Sequence, residues 1–129
     1  MEQAAKGQDG LVMVVNKANS VTAVTKGDAK RMLLGQMAAW PGGGTVLMVL
    51  EPTHSSDHIA VLGKICGMKE ADFTRYQMMV MFEGKPMLLP HEEASIAAVK
   101  SFVRDHPGAV GFVHSGDLDK ELKAVLTVE

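Results

Sequence analysis

Apolar and polar positions along this chain alternate between two patterns. Leu11-Val12-Met13-Val14-Val15 is a continuous apolar run, the mark of a strand buried on both faces. Asn16-Lys17-Ala18-Asn19-Ser20 follows as a polar turn. Thr25 and Asp28 have the three-residue spacing of a capping box, with Asp where Glu or Gln is usual. The helix they open carries Ala29, Met32, Leu33 and Met37 on one stripe, and Trp40-Pro41-Gly42-Gly43-Gly44 breaks the chain. Thr45 to Leu50 reads as a second buried strand. It runs into the polar loop Glu51-Pro52-Thr53-His54-Ser55-Ser56, which ends on two good N-cap residues.

Helical spacing returns with Ile59, Leu62, Ile65 and Cys66 and stops at Gly67. A third helix carries Phe73, Tyr76, Gln77, Val80 and Met81 and ends near Gly84-Lys85-Pro86. Met87-Leu88-Leu89 is a short strand candidate. The spacing predicts a fourth helix from about His91 to Glu93 onward, striped by Ile96, Val99, Phe102 and Val103 and stopped by Pro107-Gly108. Ala109 to Val113 and Leu122 to Val128 read as the last strands. Strands alternating with helices make the fold α/β with a mostly parallel sheet flanked by helices. No internal repeat or linker divides the chain, so residues 11–129 are expected to form one domain after a polar segment at 1–10.

Composition narrows the classes. The 129 residues carry 13 Lys+Arg against 15 Asp+Glu, and 47% are apolar, enough for one core. A near-neutral chain with no basic run argues against a nucleic-acid partner. No stretch approaches the roughly 18 apolar residues of a membrane span, so direct membrane insertion is not expected. A single cysteine, Cys66, excludes an internal disulfide framework and a multi-cysteine zinc site. It lies on the apolar face of its helix, where a buried inert thiol is expected.

No enzyme signature stands out, and the expectation is no catalytic residue and no cofactor. Glu92 and Glu93 are consecutive and would diverge on a helix, and Gly42-Gly43-Gly44 lacks the Lys-Ser/Thr of a P-loop. His114, Ser115 and Gly116 follow a strand and read as a turn or as part of a strand-end rim. His54 and His58 are four apart, as two metal ligands on a helix would be, but His54 falls before the cap. Ten methionines raise Cu(I) as a Met/His alternative, although Met32, Met37, Met48 and Met81 sit where methionine fills a core.

Several segments, taken in order, resemble the periplasmic phosphate-binding proteins of ABC transporters, the type II solute-binding fold. Val12 to Ser20 resembles that family's strand followed by an Asn-Pro turn. Thr25 through Trp40, with Met32-Leu33-Leu34-Gly35-Gln36 inside it, resembles a helix ending in Phe-Leu-Gly-Lys and a Trp. Tyr76 to Gly84 resembles a helix ending in Phe-Thr-Gly, and His106 to Val113 a Pro-Gly-Ala-Ile-Gly-Tyr-Val segment. The match is best to short, one-lobe relatives, which implies a single lobe of the periplasmic-binding-protein-like fold.

The resemblance implies non-catalytic binding of a small oxyanion such as phosphate at a helix N-terminus, where backbone N–H groups favour an anion. It places Ser55 on the family's serine, with Ser56 for the glycine, Asp57 for the threonine, and His58 near a common Arg. His54 flanks the loop, and Asn19 and Ser20 of the first turn would complete the site. The departures matter, because Asp57 would repel an anion and a lost Arg removes a bidentate partner. Ser55, Ser56 and Asp57 therefore also read as a plain helix start, and Asn19 and Ser20 as a plain turn. The alternative function is a protein–protein interaction module that keeps the fold without the ligand. The resemblance further implies export to the periplasm with the signal peptide removed, a cytoplasmic location remaining open, and a membrane transporter or sensor as partner. A homodimer could supply the other half of a cleft.

Overall fold

The computed structural model describes residues 10–84 and 90–128. Met87-Leu88-Leu89, read above as a strand, lies outside the described residues, as does nearly all of the polar segment before Leu11. Five strands form one sheet in the order β3-β2-β4-β1-β5. They are β1 (Leu11–Asn16), β2 (Leu47–Leu50), β3 (His91–Glu92), β4 (Ala109–His114) and β5 (Leu122–Val128). β2 runs parallel to β3 and to β4, whereas β1 is antiparallel to both β4 and β5. Four of the five described strands thus point the same way, and β1 lies reversed among them. The mostly parallel sheet expected from the sequence is present, but it is mixed.

The helices are α1 (Lys26–Leu33), α2 (Ser56–Val61), α3 (Glu70–Phe82) and α4 (Ile96–Asp105). α2 passes directly into a π-helical turn, Leu62–Cys66, which ends at Gly67 in the left-handed conformation. The expected caps form: Thr25 Oγ1 accepts from the Asp28 N–H at 3.0 Å, and Ser55 Oγ from the His58 N–H at 3.2 Å.

One sequence expectation is corrected. His91 and Glu92 do not open a helix but form β3, because the unpaired edge of β2 takes up their backbone groups. Val49 pairs with His91 and Leu50 with Glu92, and the Glu93 N–H donates to Leu50 O at 3.0 Å. The helix begins later, at the better N-cap Ser95, whose Oγ accepts from the Ala98 N–H.

Every residue of β1 is buried, as its unbroken apolar run requires, and alternate side chains enter different layers. Met13 and Val15 join Ala29, Leu33, Leu62 and Phe73 from the helices on one face. Val12 and Val14 join Val99 and Val103 of α4 on the other. Gly111 in β4 lets α4 approach, since a Cβ there would meet Val49 Cγ1 and Val99 Cγ1 at 2.9 Å. Asn16, buried at the end of β1, donates through Nδ2 to the Val103 and Arg104 carbonyls at the C-terminus of α4.

Candidate functional site

Parallel β2 and β4 end at the same edge of the sheet, and the chain leaves both with polar residues. Leu50 is followed by Glu51, and β4 closes on His114. Ser55 caps α2 above this edge, which places Asp57 in the helix's first turn. The three side chains meet although Asp57 and His114 are 57 residues apart in sequence. His114 Nε2 lies 3.0 Å and 2.9 Å from the two Asp57 carboxylate oxygens.

Burial pushes the Glu51 carboxyl up to about 7, helped by its hydrogen bond to Asp57 and that neighbour's negative charge. Burial acts the same way on Asp57, but the hydrogen bonds from Glu51 and His114 outweigh it and hold Asp57 below its ordinary value. The two acids are thus driven apart, Glu51 toward holding its proton and Asp57 toward losing it. Among the described residues, the buried side-chain atoms without a hydrogen-bond partner are Glu51 Oε2 and His114 Nδ1. Both belong to this cluster. Chemically it can take a group that donates to, or exchanges protons with, these atoms.

The residues predicted from the sequence fall into three places. Ser55, Ser56 and Asp57 lie at this edge, with Ser55 Oγ engaged as the helix cap and Ser56 exposed. The Ile59 N–H makes the first intrahelical bond back to Ser55 O, so the Ser56 and Asp57 N–H groups precede the helical ladder. His54 and His58 go elsewhere, gathered by Glu70 at the start of α3. Glu70 Oε1 is 2.9 Å from His54 Nδ1, while Oε2 is 2.6 Å from His58 Nδ1 and accepts the His54 N–H at 2.7 Å. Burial would raise the Glu70 carboxyl, yet these bonds lower it below its ordinary value. His54 takes the left-handed backbone conformation (φ 79°) that directs both its N–H and its ring at Glu70. This cluster joins α3 to the loop before α2. Among the described residues no group of three or more His, Cys, Asp or Glu is arranged to hold a metal ion.

Asn19 and Ser20 lie at the opposite edge of the sheet. β1 is reversed, so the turn after it sits beside the start of β4, where Asn19 Nδ2 donates to Pro107 O at 3.5 Å. Asn19 Oδ1 accepts from the Val21 N–H and its carbonyl from Lys123 Nζ. Both residues line a surface cleft with Trp40, Gly43 and Gly108, separate from Asp57. The strand-end rim foreseen at His114 is the part that joins Asp57. Glu51 was not singled out by sequence, although a lone acid closing an all-apolar strand was its signal. Cys66 is buried, and burial pushes its thiol up to about 11, so it is protonated and inert.

No protein-family model matches the sequence, and no curated protein matches it. Solved structures do. An ABC-type phosphate transport receptor from Vibrio cholerae superposes with a TM-score of 0.71 at 20% identity, over 97% of this chain and 52% of that one. A structure from Clostridium perfringens, described as a phosphate ABC transporter substrate-binding protein with bound phosphate, gives 0.73 at 19% identity over 90% and 44%. PstS from Borrelia burgdorferi gives 0.70 at 11% over 91% and 46%. The chain spans about half the length of these proteins. At such identities the likeness establishes the fold: this chain has the α/β architecture of one lobe of the phosphate-receptor type.

Proposed function

We propose that this chain is a non-catalytic binding lobe for a small protonated oxyanion of the phosphate class, held where Glu51, Ser55, Asp57 and His114 meet. The observation that carries the reading is the pair of buried, unpartnered atoms Glu51 Oε2 and His114 Nδ1 at one strand-end edge. Strand ends of open α/β sheets are where ligands bind. The acids define which oxyanion is acceptable. A fully ionised anion meets the Asp57 carboxylate and is repelled, whereas one that carries an O–H can donate to an acceptor and take the Ser56 and Asp57 N–H groups. The likeness to phosphate receptors supports the ligand class. A transporter or sensor partner and a periplasmic location belong to the same proposal. The cluster lies at an open strand-end edge of this lobe, so weak binding by the lobe alone is expected.

Isothermal titration with inorganic phosphate at pH 6 and pH 8, with sulfate as the unprotonated control, tests the reading. Phosphate heat at pH 6, weaker at pH 8 as Glu51 ionises, with none from sulfate, supports it. No phosphate heat up to roughly 10 mM, which bounds affinity at a few kcal/mol, sinks it. A second reading, an interaction module that keeps the fold without the ligand, is favoured by the Ser55 hydroxyl being committed to the helix cap. A Ser55→Ala variant unchanged in phosphate titration but weakened in a partner pull-down would select that reading.

A further inference from the structure

A cleft of about 160 Å³ opens beside the start of β2, at the end of that strand away from Glu51. Three of the chain's ten methionines line it, each brought there by a different segment. Met32 comes from the last turn of α1, Met37 from the loop after that helix, and Met48 from β2. All three lie on one side of the sheet. Met32 and Met48 are buried in the core there, and half-buried Met37 packs against it. β3 pairs only with Val49 and Leu50, so its ladder stops short of Met48. His91, the first residue of that ladder, borders the same cleft. Its ring stacks on Phe102 at 4.6 Å, and its Nε2 lies 2.6 Å from Glu93 Oε2.

The donor chemistry of the lining says what fits it. Besides the three thioethers and the His91 imidazole, the side chains around the cleft are hydrocarbon. A hard cation such as Mg²⁺ or Ca²⁺ finds no side-chain oxygen and no negative charge on this wall. An organic ammonium lacks side-chain oxygen acceptors for the same reason. A set of uncharged thioethers suits a soft monovalent ion, Cu(I). Methionine is also a core filler, but a filler closes gaps, and here three methionines border one that stays open.

We propose that Met32, Met37 and Met48 form a thioether site for Cu(I), with His91 at its rim. Each methionine side chain turns about three torsions, so the sulfurs can close on an ion without moving the backbone. The site is independent of the oxyanion reading, because the cleft adjoins Leu47 at the start of β2 whereas Glu51 follows its end. It is also distinct from the pair His54 and His58, whose Nδ1 atoms are both engaged by Glu70.

Anaerobic titration with Cu(I), kept reduced by ascorbate and competed against bicinchoninate, tests the site. The wild type should retain one Cu(I) per chain, and X-ray absorption at the copper edge should show a shell of sulfur with at most one nitrogen. Met37→Leu and Met48→Leu keep volume and apolarity, so the fold stands, and each should weaken retention by about tenfold or more. Met78→Leu with Met81→Leu, at exposed positions of α3, should bind as the wild type does, and so should Cys66→Ala. Ag(I), the redox-silent analogue, should raise the melting temperature of the wild type but not of the Met37→Leu, Met48→Leu double variant. A chain that yields all its copper to bicinchoninate overturns the proposal. So does Cu(I) retention that survives the double variant, is lost in Cys66→Ala, or shows a shell without sulfur.

Discussion

Glu51 is the residue whose protonation changes the character of the strand-end cluster within the neutral range. A carboxyl held above its unfolded pKa stabilises the fold at low pH and loses that contribution as the pH rises through the folded value. For Glu51 this window runs from 4.5 to about 7. Asp57 and Glu70 behave oppositely: their contributions are present above the unfolded values and vanish as the pH falls through their lowered ones. Glu51→Gln keeps a donor toward Asp57 and removes the ionisation. Denaturant titrations at about pH 5 and about pH 8 should show the wild type losing ~1 kcal/mol relative to the variant, a shift worth ~3 reduced for partial exposure. Parallel curves for the two proteins would mean that Glu51 ionises normally. The variant should also keep more of its phosphate affinity at pH 8. Asp57 was legible in the sequence because a first-turn acid after two N-cap residues has a local signature. Glu51 was not, since its raised pKa arises from burial and from a neighbour brought together only by folding.

At the level of elements, most of the helices and strands could be read because each carries its own period and punctuation. The unbroken run of β1, the Thr25 and Ser55 caps, and the Gly67 stop all act locally. β3 is the exception, and it is short because its hydrogen bonds come from the open edge of β2 rather than from its own residues. Likewise, the four-residue spacing of His54 and His58 carries no sign of Glu70, which lies on the next helix and claims both. Two substitutions test these element contacts. Gly111→Ala adds a methyl against Val49 and Val99, with Val103 Cγ2 at 3.3 Å, and should cost ~1–3 kcal/mol by thermal or chemical unfolding. Glu70→Ala leaves the buried His58 ring and the His54 N–H without their acceptor and should cost ~1–3 kcal/mol. A cost near zero for either would show that α4 or α3 can shift to relieve the contact.

Across the whole molecule, what the sequence could not supply was strand direction. An apolar run buried on both faces is compatible with either orientation, and the turn after β1 joins the other strand ends only if β1 runs parallel to them. Reversal of β1 moves Asn19 and Ser20 to the far edge and brings Gly10 to the site edge, where its carbonyl accepts the Ser115 N–H at 2.7 Å. The same reversal joins the two ends of the chain: β1 is flanked by β4 and β5, so its backbone is paired on both sides by segments about a hundred residues away. Such pairing cannot open from a terminus inward, because freeing β1 breaks two ladders and exposes Met13, Val14 and Val15, all fully buried. β3, two residues long at a sheet edge, can leave while breaking its short ladder with β2 and two exposed side-chain contacts, Thr53 with Glu92 and His91 with Phe102. Native-state hydrogen exchange should therefore be slowest at Met13–Val15 and Val110–Val113, at a free energy equal to that of global unfolding. Exchange at His91 and Glu92 should be far faster, by local opening. Denaturant should move the β1 and β4 amides with the slope of global unfolding and leave the β3 amides nearly flat. If β1 exchanged as fast as β3, the central place of β1 in the sheet would be wrong, and with it the separation of the Asn19 turn from the Asp57 edge.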